Sequence, residues 1–225
     1  HGRMNAMTDE DAPMSDTPIP APIAVAAPGD AEETARAELY GLLARLWLAP
    51  PDDALLAQFR VAVTQASEPG GHLEGPWQEL VAAMRQTDVA QAQDEFEALF
   101  QSVGRPDILV CGSYYLSGSL NDRPLAQLRT DLAALGLGRD ESRMETEDHI
   151  AYVLEVMRYL IAGDDAGTCN LEQQRRFFRA HLQTWVDPLC EAVLGHPRGR
   201  VWAAVAGFTR AFIEVEAQGF DMLEG

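Results

Sequence analysis

Apolar residues recur at three- and four-residue steps along most of this chain, which is the spacing of an amphipathic helix and not of a strand. Proline and glycine clusters separate the apolar stripes, as at Pro50-Pro51. Counting stripes and breakers predicts an all-α fold, a single globular helical domain of about seven to eight helices. The only β-like run, residues 108–110, is short.

The composition divides the chain into three parts. Residues 1–30 are rich in proline, alanine and acid, and we expect them to be disordered and partly a cloning remnant. Residues 31–218 carry the helical pattern, and residues 219–225 are expected to form a C-terminal tail. The apolar run at residues 19–27 is interrupted by prolines and preceded by acids, unlike an export signal, and no stretch is long enough to span a bilayer. We therefore expect a cytoplasmic protein without stable membrane insertion.

Charge narrows the possible partners. The 225 residues carry a formal net charge of −18, which disfavours nucleic acid and favours a basic partner. All 17 basic residues are arginines, so a phosphate-loop lysine and a Schiff-base lysine are excluded. The three cysteines form no CxxC motif, which is typical of a reducing compartment and argues against a disulfide scaffold or a structural zinc site.

One acidic segment, Glu145-Thr146-Glu147-Asp148-His149, directly precedes the apolar stripe that begins at Ile150. Ser142 and Glu145 have capping-box spacing, so the helix is expected to start here with its acids in the first turn, where they suit the helix dipole. On that helix Asp148 and Glu155 would share a face. A histidine in a first turn gains nothing from the dipole, so His149 is the residue that first points to function.

A long irregular stretch, Gly104 to Asp122, is predicted to be a central hinge loop, and loops of this length are more often functional than idle.

The sequence contains few motifs that would indicate an enzyme. A di-iron site is disfavoured because no histidine has a glutamate three residues before it. The pair Asp148-His149 resembles half of a metal phosphohydrolase dyad, which leaves a metal- or nucleotide-dependent hydrolase as the alternative. We otherwise expect no cofactor, no metal and no catalysis.

Six motifs occur in a characteristic order. They are Leu39-Tyr40-x-Leu42-Leu43-Ala44 with Pro50-Pro51, Phe96-x-x-Leu99-Phe100, Gly112-Ser113-x-Tyr115-Leu116, Glu145-x-Glu147-Asp148-His149 with Leu154-Glu155-x-Met157-x-x-Leu160, Phe177-Phe178-x-x-His181-Leu182-x-x-Trp185, and Phe208-Thr209-x-x-Phe212-x-x-x-Glu216. From about residue 33 to 218 the chain resembles the TorD/DmsD/NarJ family of cytoplasmic redox-enzyme maturation chaperones. The resemblance implies an all-helical, non-catalytic protein that binds the twin-arginine signal peptide of a molybdenum-cofactor oxidoreductase, assists cofactor insertion and prevents premature export.

The resemblance also implies a peptide-binding site with apolar contacts, a hinge loop and a polar end. Its residues here are Phe96, Leu99, Phe100, Gly112, Ser113, Tyr115, Glu145, Glu147, Asp148 and His149. The chain departs from the family pattern at Thr146, where proline is common, and at Val110-Cys111, where Pro-Pro-aromatic is common. The loop and acidic motifs resemble the branch with formate dehydrogenase clients. The partners implied are the signal peptide and the apo-form of that enzyme, with the chaperone a monomer or a domain-swapped dimer.

Plainer interpretations stand beside these. The acids of the 145–148 segment could serve as helix caps, and His149 could be hydrogen-bonded inside the bundle. Phe96, Leu99 and Phe100 have core spacing. Tyr115 could anchor the loop through its ring and hydroxyl.

Overall fold

A computed structural model describes residues 30–64 and 71–224 of the chain. Within these ranges the regular structure is helical, with one isolated antiparallel bridge and no strand, so the predicted all-α class is confirmed. The helices are α1 (Asp30–Leu48), α2 (Asp53–Arg60), α3 (Glu74–Arg85), α4 (Val89–Phe100), α5 (Gly112–Ser117), α6 (Arg123–Ala134), α7 (Ile150–Ala162), α8 (Leu171–His181), α9 (Val186–Leu194) and α10 (Val201–Met222).

The core forms around two long helices and the helices packed on them. Helix α1 lies along α7, and α10 packs against α3, α9 and α4. The stripe predicted for α7 faces this interior, and its members Ile150, Leu154 and Leu160 are fully buried. Burial of such a stripe is the main stabilising contribution of an amphipathic helix.

The start of α10 is held by a carboxylate from another helix. Glu95 of α4 is buried, and its two oxygens accept the backbone N–H groups of Arg200, Val201 and Trp202 at 2.7–3.0 Å. These N–H groups have no partner inside their own helix, and a negative charge suits that end of the helix dipole. The contact fixes α10 relative to α4, whose other residues include Phe96 and Phe100.

The helix count exceeds the predicted seven to eight for two reasons. Helix α5 lies within the stretch that was expected to be irregular, so the hinge loop is shorter than predicted. The helical pattern that runs from Asn170 to Gly195, and that Pro188 is expected to kink or split, forms two helices, α8 and α9. The break falls before the proline, at residues 182–185. Pro188 lies in the first turn of α9, where its missing N–H costs no helical hydrogen bond.

The C-terminal end of the helical region differs from expectation. Helix α10 continues past residue 219 to Met222, because Phe220 is buried against Phe178 with ring centroids 5.1 Å apart. The segment predicted to be disordered lies outside the described residues except for Asp30, where α1 begins. Within the described ranges, no helix is both long enough and apolar enough to cross a bilayer.

Candidate functional site

The acidic segment lies before α7 and not within it. Helix α7 begins at Ile150 with His149 as its N-cap, so the predicted start near Glu145, the Ser142 capping box and the shared face of Asp148 and Glu155 are wrong. Instead, the chain runs beside residues 110–112: the N–H of Gly112 donates to the carbonyl of Asp148 at 3.0 Å. The N–H of Ile150 donates to the carbonyl of Val110 at 2.9 Å. The backbone of this segment therefore forms hydrogen bonds with residues 110–112 and does not form a helix.

Asp148 joins the segment to α5. Its side chain is 4% exposed and accepts the backbone N–H of Ser113 at 2.9 Å and the Ser113 hydroxyl at 2.5 Å. Its other oxygen accepts the hydroxyl of Thr146 at 2.5 Å. Asp148 is therefore the N-terminal cap of α5, supplied from a distant part of the chain. A buried carboxylate with three donors is committed to holding the structure.

The helix that Asp148 caps is also fixed from its other side. Tyr115 stacks on Trp185 with ring centroids 5.8 Å apart and donates its hydroxyl to the carbonyl of Leu109 at 2.6 Å. A Cβ atom on Gly112 would lie 2.8 Å from the Trp185 ring, so only glycine fits there. Trp185 is itself held by a hydrogen bond from its indole N–H to the carbonyl of His181 at 2.6 Å. The interpretation of Tyr115 as an anchor is confirmed.

His149 is almost completely buried, with 7% of its surface exposed. Its Nδ1 accepts the backbone N–H of Ala151 at 3.0 Å, and burial lowers the pKa of His149 to about 4 although Glu145 and Asp148 oppose the shift. The ring is therefore neutral near pH 7, and its proton lies on Nε2 because Nδ1 is an acceptor. Within the described part of the chain Nε2 has no hydrogen-bond partner, so it is free to donate to a ligand.

Glu147 is committed to pairing with arginines of the same protein. Its carboxylate is 2.5 Å from Nε of Arg129 and 3.7 Å from Nε of Arg139. The hydrogen bond from Arg129 lowers the pKa of Glu147, so the group stays ionised and occupied.

Glu145 differs from its two neighbours because it is exposed. It accepts the hydroxyl of Tyr152 at 2.8 Å, and this bond lowers the pKa of Glu145. Over residues 30–64 and 71–224, no arginine forms a salt bridge with it. Of the three acids, Glu145 is the one available to an external cation.

An apolar cleft of about 340 Å³ opens beside this segment. Its inner wall includes the rings of Phe96 and Phe100, and its rim includes two exposed apolar residues, Leu120 and the 95% exposed Met144. Exposed apolar side chains around a cleft are typical of a binding surface. The lining consists of Trp47, Leu48, Phe96, Phe100, Gln101, Pro106, Ile108, Leu109, Val110, Cys111, Leu120, Asn121, Met144, Glu145, Thr146 and His149.

A second, charged cleft of about 290 Å³ lies on the other side of the segment, between α6 and α7. Glu145 lines both clefts, so the two meet at its carboxylate. The lining of the charged cleft consists of Leu132, Leu137, Gly138, Arg139, Asp140, Arg143, Glu145, Glu147, Tyr152, Glu155, Val156, Arg158 and Tyr159.

The structure divides the predicted site residues into two groups. Phe96, Phe100, Glu145 and His149 line the apolar cleft together. Leu99, Gly112, Ser113, Tyr115 and Asp148 lie behind the clefts and support them, and Leu99 is fully buried in the core. Glu147 lines only the charged cleft.

Sequence reasoning missed Met144 and Tyr152. The signal was present, because an apolar residue directly before an acidic run and a tyrosine three residues after His149 are both visible in the sequence.

The alternative hydrolase hypothesis uses Asp148 and His149 as a catalytic dyad. Both oxygens of Asp148 are occupied by protein donors, and the described residues contain no cluster of three or more His, Cys, Asp or Glu side chains that could hold a metal ion. Burial, reinforced by Asp148, raises the pKa of Cys111 to about 12, so its thiol is protonated and unreactive.

Comparisons with known proteins agree with this picture. The model of the family described as "Nitrate reductase delta subunit" matches residues 70–191, more than half of the chain. The chain therefore belongs to this family, and the family predicted from the sequence motifs is confirmed.

The curated relatives carry the same indication. Chaperone protein TorD from an Ogawa strain of Vibrio cholerae serotype O1 is 28% identical over 204 residues, which cover 84% of this chain and 93% of the relative. TorD from an El Tor Inaba strain is 26% identical over the same length. A solved structure of a candidate redox enzyme maturation protein from Archaeoglobus fulgidus has the same fold. It matches with a TM-score of 0.50 and 20% identity over 81% of this chain and 93% of that one.

Proposed function

We propose that this chain is a cytoplasmic, non-catalytic chaperone that binds the twin-arginine signal peptide of a molybdenum-cofactor oxidoreductase. It holds the peptide back from export while the cofactor is inserted into the apo-enzyme. Family membership and the relatives named as chaperones support this proposal. The observation that carries it is an apolar cleft with an exposed carboxylate at its mouth, whose hydrogen-bond donor is the Tyr152 hydroxyl and which forms no salt bridge with an arginine of the described residues. A formate dehydrogenase is the client we propose.

The apolar cleft suits the hydrophobic part of a signal peptide. Each methylene group that moves from water into the cleft contributes about 0.8 kcal/mol, so several buried aliphatic side chains offset the cost of association and contribute to micromolar binding. Met144 and Leu120 at the rim would cover the guest. Nε2 of His149 can donate a hydrogen bond to a carbonyl oxygen of the bound peptide, whose backbone would otherwise lose its partners.

Glu145 suits the arginine pair. A guanidinium group binds a carboxylate through charge-assisted hydrogen bonds, which contribute roughly 1.5–3 kcal/mol. The arginines precede the apolar run in such peptides, so the pair would lie at Glu145 and the charged cleft while the following residues enter the apolar cleft. The formal net charge of −18 would also speed the encounter with a basic peptide.

Isothermal titration calorimetry with two matched peptides tests this function. One peptide carries Arg-Arg before an apolar run, and the other carries Gln-Gln in its place. We expect the intact chain to bind the first with a Kd in the micromolar range or tighter, about −8 kcal/mol, and the second more weakly. Equal affinity for both peptides would contradict the proposal.

A pair of variants locates the arginine site. Glu145→Gln should weaken binding of the Arg-Arg peptide about tenfold, or roughly 1.4 kcal/mol, and leave the Gln-Gln peptide unchanged. Glu155→Gln is the matched control, because Glu155 lies in the charged cleft but is already paired with Arg158 at 2.9 Å. An equal loss in both variants would show that net charge, and not Glu145, sets the preference.

A further inference from the structure

Arg143 lies within the charged cleft, two residues before Glu145. Its guanidinium carbon is 5.6 Å from the centre of the Tyr152 ring, the same side chain whose hydroxyl donates to Glu145. A cation over a tyrosine ring next to a carboxylate is the environment that a bound guanidinium group would require. The protein therefore already holds one of its own arginines beside the proposed arginine site.

A tight turn presents this arginine. The carboxylate of Asp140 accepts the backbone N–H and the hydroxyl of Ser142 at 3.0 and 2.5 Å, and the N–H of Arg143 donates to the carbonyl of Asp140 at 3.1 Å. The backbone is fixed by these bonds, so the Arg143 side chain can move without unfolding the turn.

The three arginines of the charged cleft are held with different strength. Arg158 donates from Nε to both oxygens of Glu155, at 2.9 and 3.1 Å. Arg139 is 3.7 Å from the nearly buried Glu147. Arg143 interacts with the Tyr152 side chain, through its ring and its hydroxyl, and with the exposed carboxylate of Asp140 at 3.6 Å, and half of the Arg143 side chain is itself exposed. Exposed ion pairs and cation–π contacts of this kind are weak, so Arg143 is the arginine most easily displaced.

We infer that Arg143 is an internal stand-in for the client's arginine: in the free protein it occupies the face of the Tyr152 ring next to Glu145, and it is displaced from that face when the signal peptide binds. This inference rests on the proposed function. Because the stand-in is part of the chain, it competes at a high effective concentration with any single external guanidinium group. It lowers the affinity for peptides with an isolated arginine, and only a peptide that also fills the apolar cleft displaces it readily.

Calorimetry on the full chain tests the direction of the effect. Arg143→Gln removes the competitor, and we expect it to tighten binding of the Arg-Arg peptide about two- to fivefold while leaving the Gln-Gln peptide unchanged. Arg176→Gln is the charge-matched control, since Arg176 is exposed on α8 and lines neither cleft. It should change neither affinity, which separates displacement from a general change in net charge.

Each other outcome counts against the inference. Weaker or unchanged binding of the Arg-Arg peptide by Arg143→Gln would overturn it, and so would equal tightening in the Arg176→Gln control. Failure of the proposed function itself is recognised separately, because the unaltered chain would then show no preference for the Arg-Arg over the Gln-Gln peptide.

Discussion

Asp148 and Glu145 are carboxylates three residues apart, and the fold gives them opposite roles. Asp148 points inward and accepts three hydrogen bonds that cap α5. Glu145 points outward, where Tyr152 is its hydrogen-bond donor and no arginine of the described chain pairs with it. The comparison shows that the acidic motif of this chain contains one residue that stabilises the fold, Asp148, and one that is exposed to a ligand, Glu145. Loss of function on mutating the motif therefore has two possible causes.

Replacing Asp148, the residue that stabilises the fold, should give the largest effect on stability. Asp148→Ala leaves the donors at Ser113 and Thr146 without their acceptor, and we expect the free energy of unfolding to fall by about 3 kcal/mol. Urea denaturation monitored by circular dichroism measures it. Glu145→Ala, at an exposed position, should change stability by no more than about 0.5 kcal/mol. Similar losses in the two variants would mean that the division of roles between the two residues is wrong.

His149 is buried and also lines the apolar cleft, and its titration should make the stability of the protein depend on pH. Burial lowers its pKa to about 4 from an ordinary 6.5, so below pH 6.5 the unfolded chain binds a proton that the folded protein excludes. Above pH 6.5 the ring is neutral in both the folded and the unfolded chain, so burying it does not oppose folding through its charge. As the pH drops from 6.5 toward 4, the free energy of unfolding decreases. We expect a loss of about 2 kcal/mol between pH 7 and pH 5, measured by urea denaturation at both pH values.

The control for this pH effect is His149→Asn, which keeps a residue suited to the N-cap but does not titrate. Between pH 7 and pH 5 the free energy of unfolding of this variant should decrease by about 2 kcal/mol less than that of the unaltered chain, because only the effects of the carboxylates remain. Parallel pH profiles for the two proteins would show that His149 is not the cause.

The rim of the apolar cleft should give the smallest effect. Met144→Gln removes an exposed apolar side chain that the proposed guest would cover, and we expect about threefold weaker peptide binding, or roughly 0.7 kcal/mol, with unchanged stability. Met222→Gln is the matched control, because Met222 is also exposed but lies at the end of α10, outside both clefts. Equal affinities for the two variants and the unaltered chain would remove Met144 from the binding surface.

Much of the fold follows from the sequence because helix formation is local. The apolar spacing of α7 and the glycine and proline breakers depend on residues within a few positions of one another, and so the all-α class, the family and the position of most helices could be predicted. The site was harder to predict. The ten residues drawn from the family motifs line or adjoin the two clefts, but the sequence shows neither the clefts nor the different hydrogen-bond partners of the three acids.

Tertiary contacts decided the rest, for a physical reason. Capping propensity predicts that Glu145 and Asp148 lie in the first turn of a helix. In the structure the backbone of this segment forms hydrogen bonds with residues 110–112 instead, and the helix begins at Ile150. Whether a carboxylate is occupied depends on which distant donors approach it, as Ser113 approaches Asp148 and Arg129 approaches Glu147. The sequence by itself determined which chemical groups are present and which segments are helical. Only the packed chain determined which carboxylate was left facing water, because burial and hydrogen-bond partners come from residues far apart in sequence.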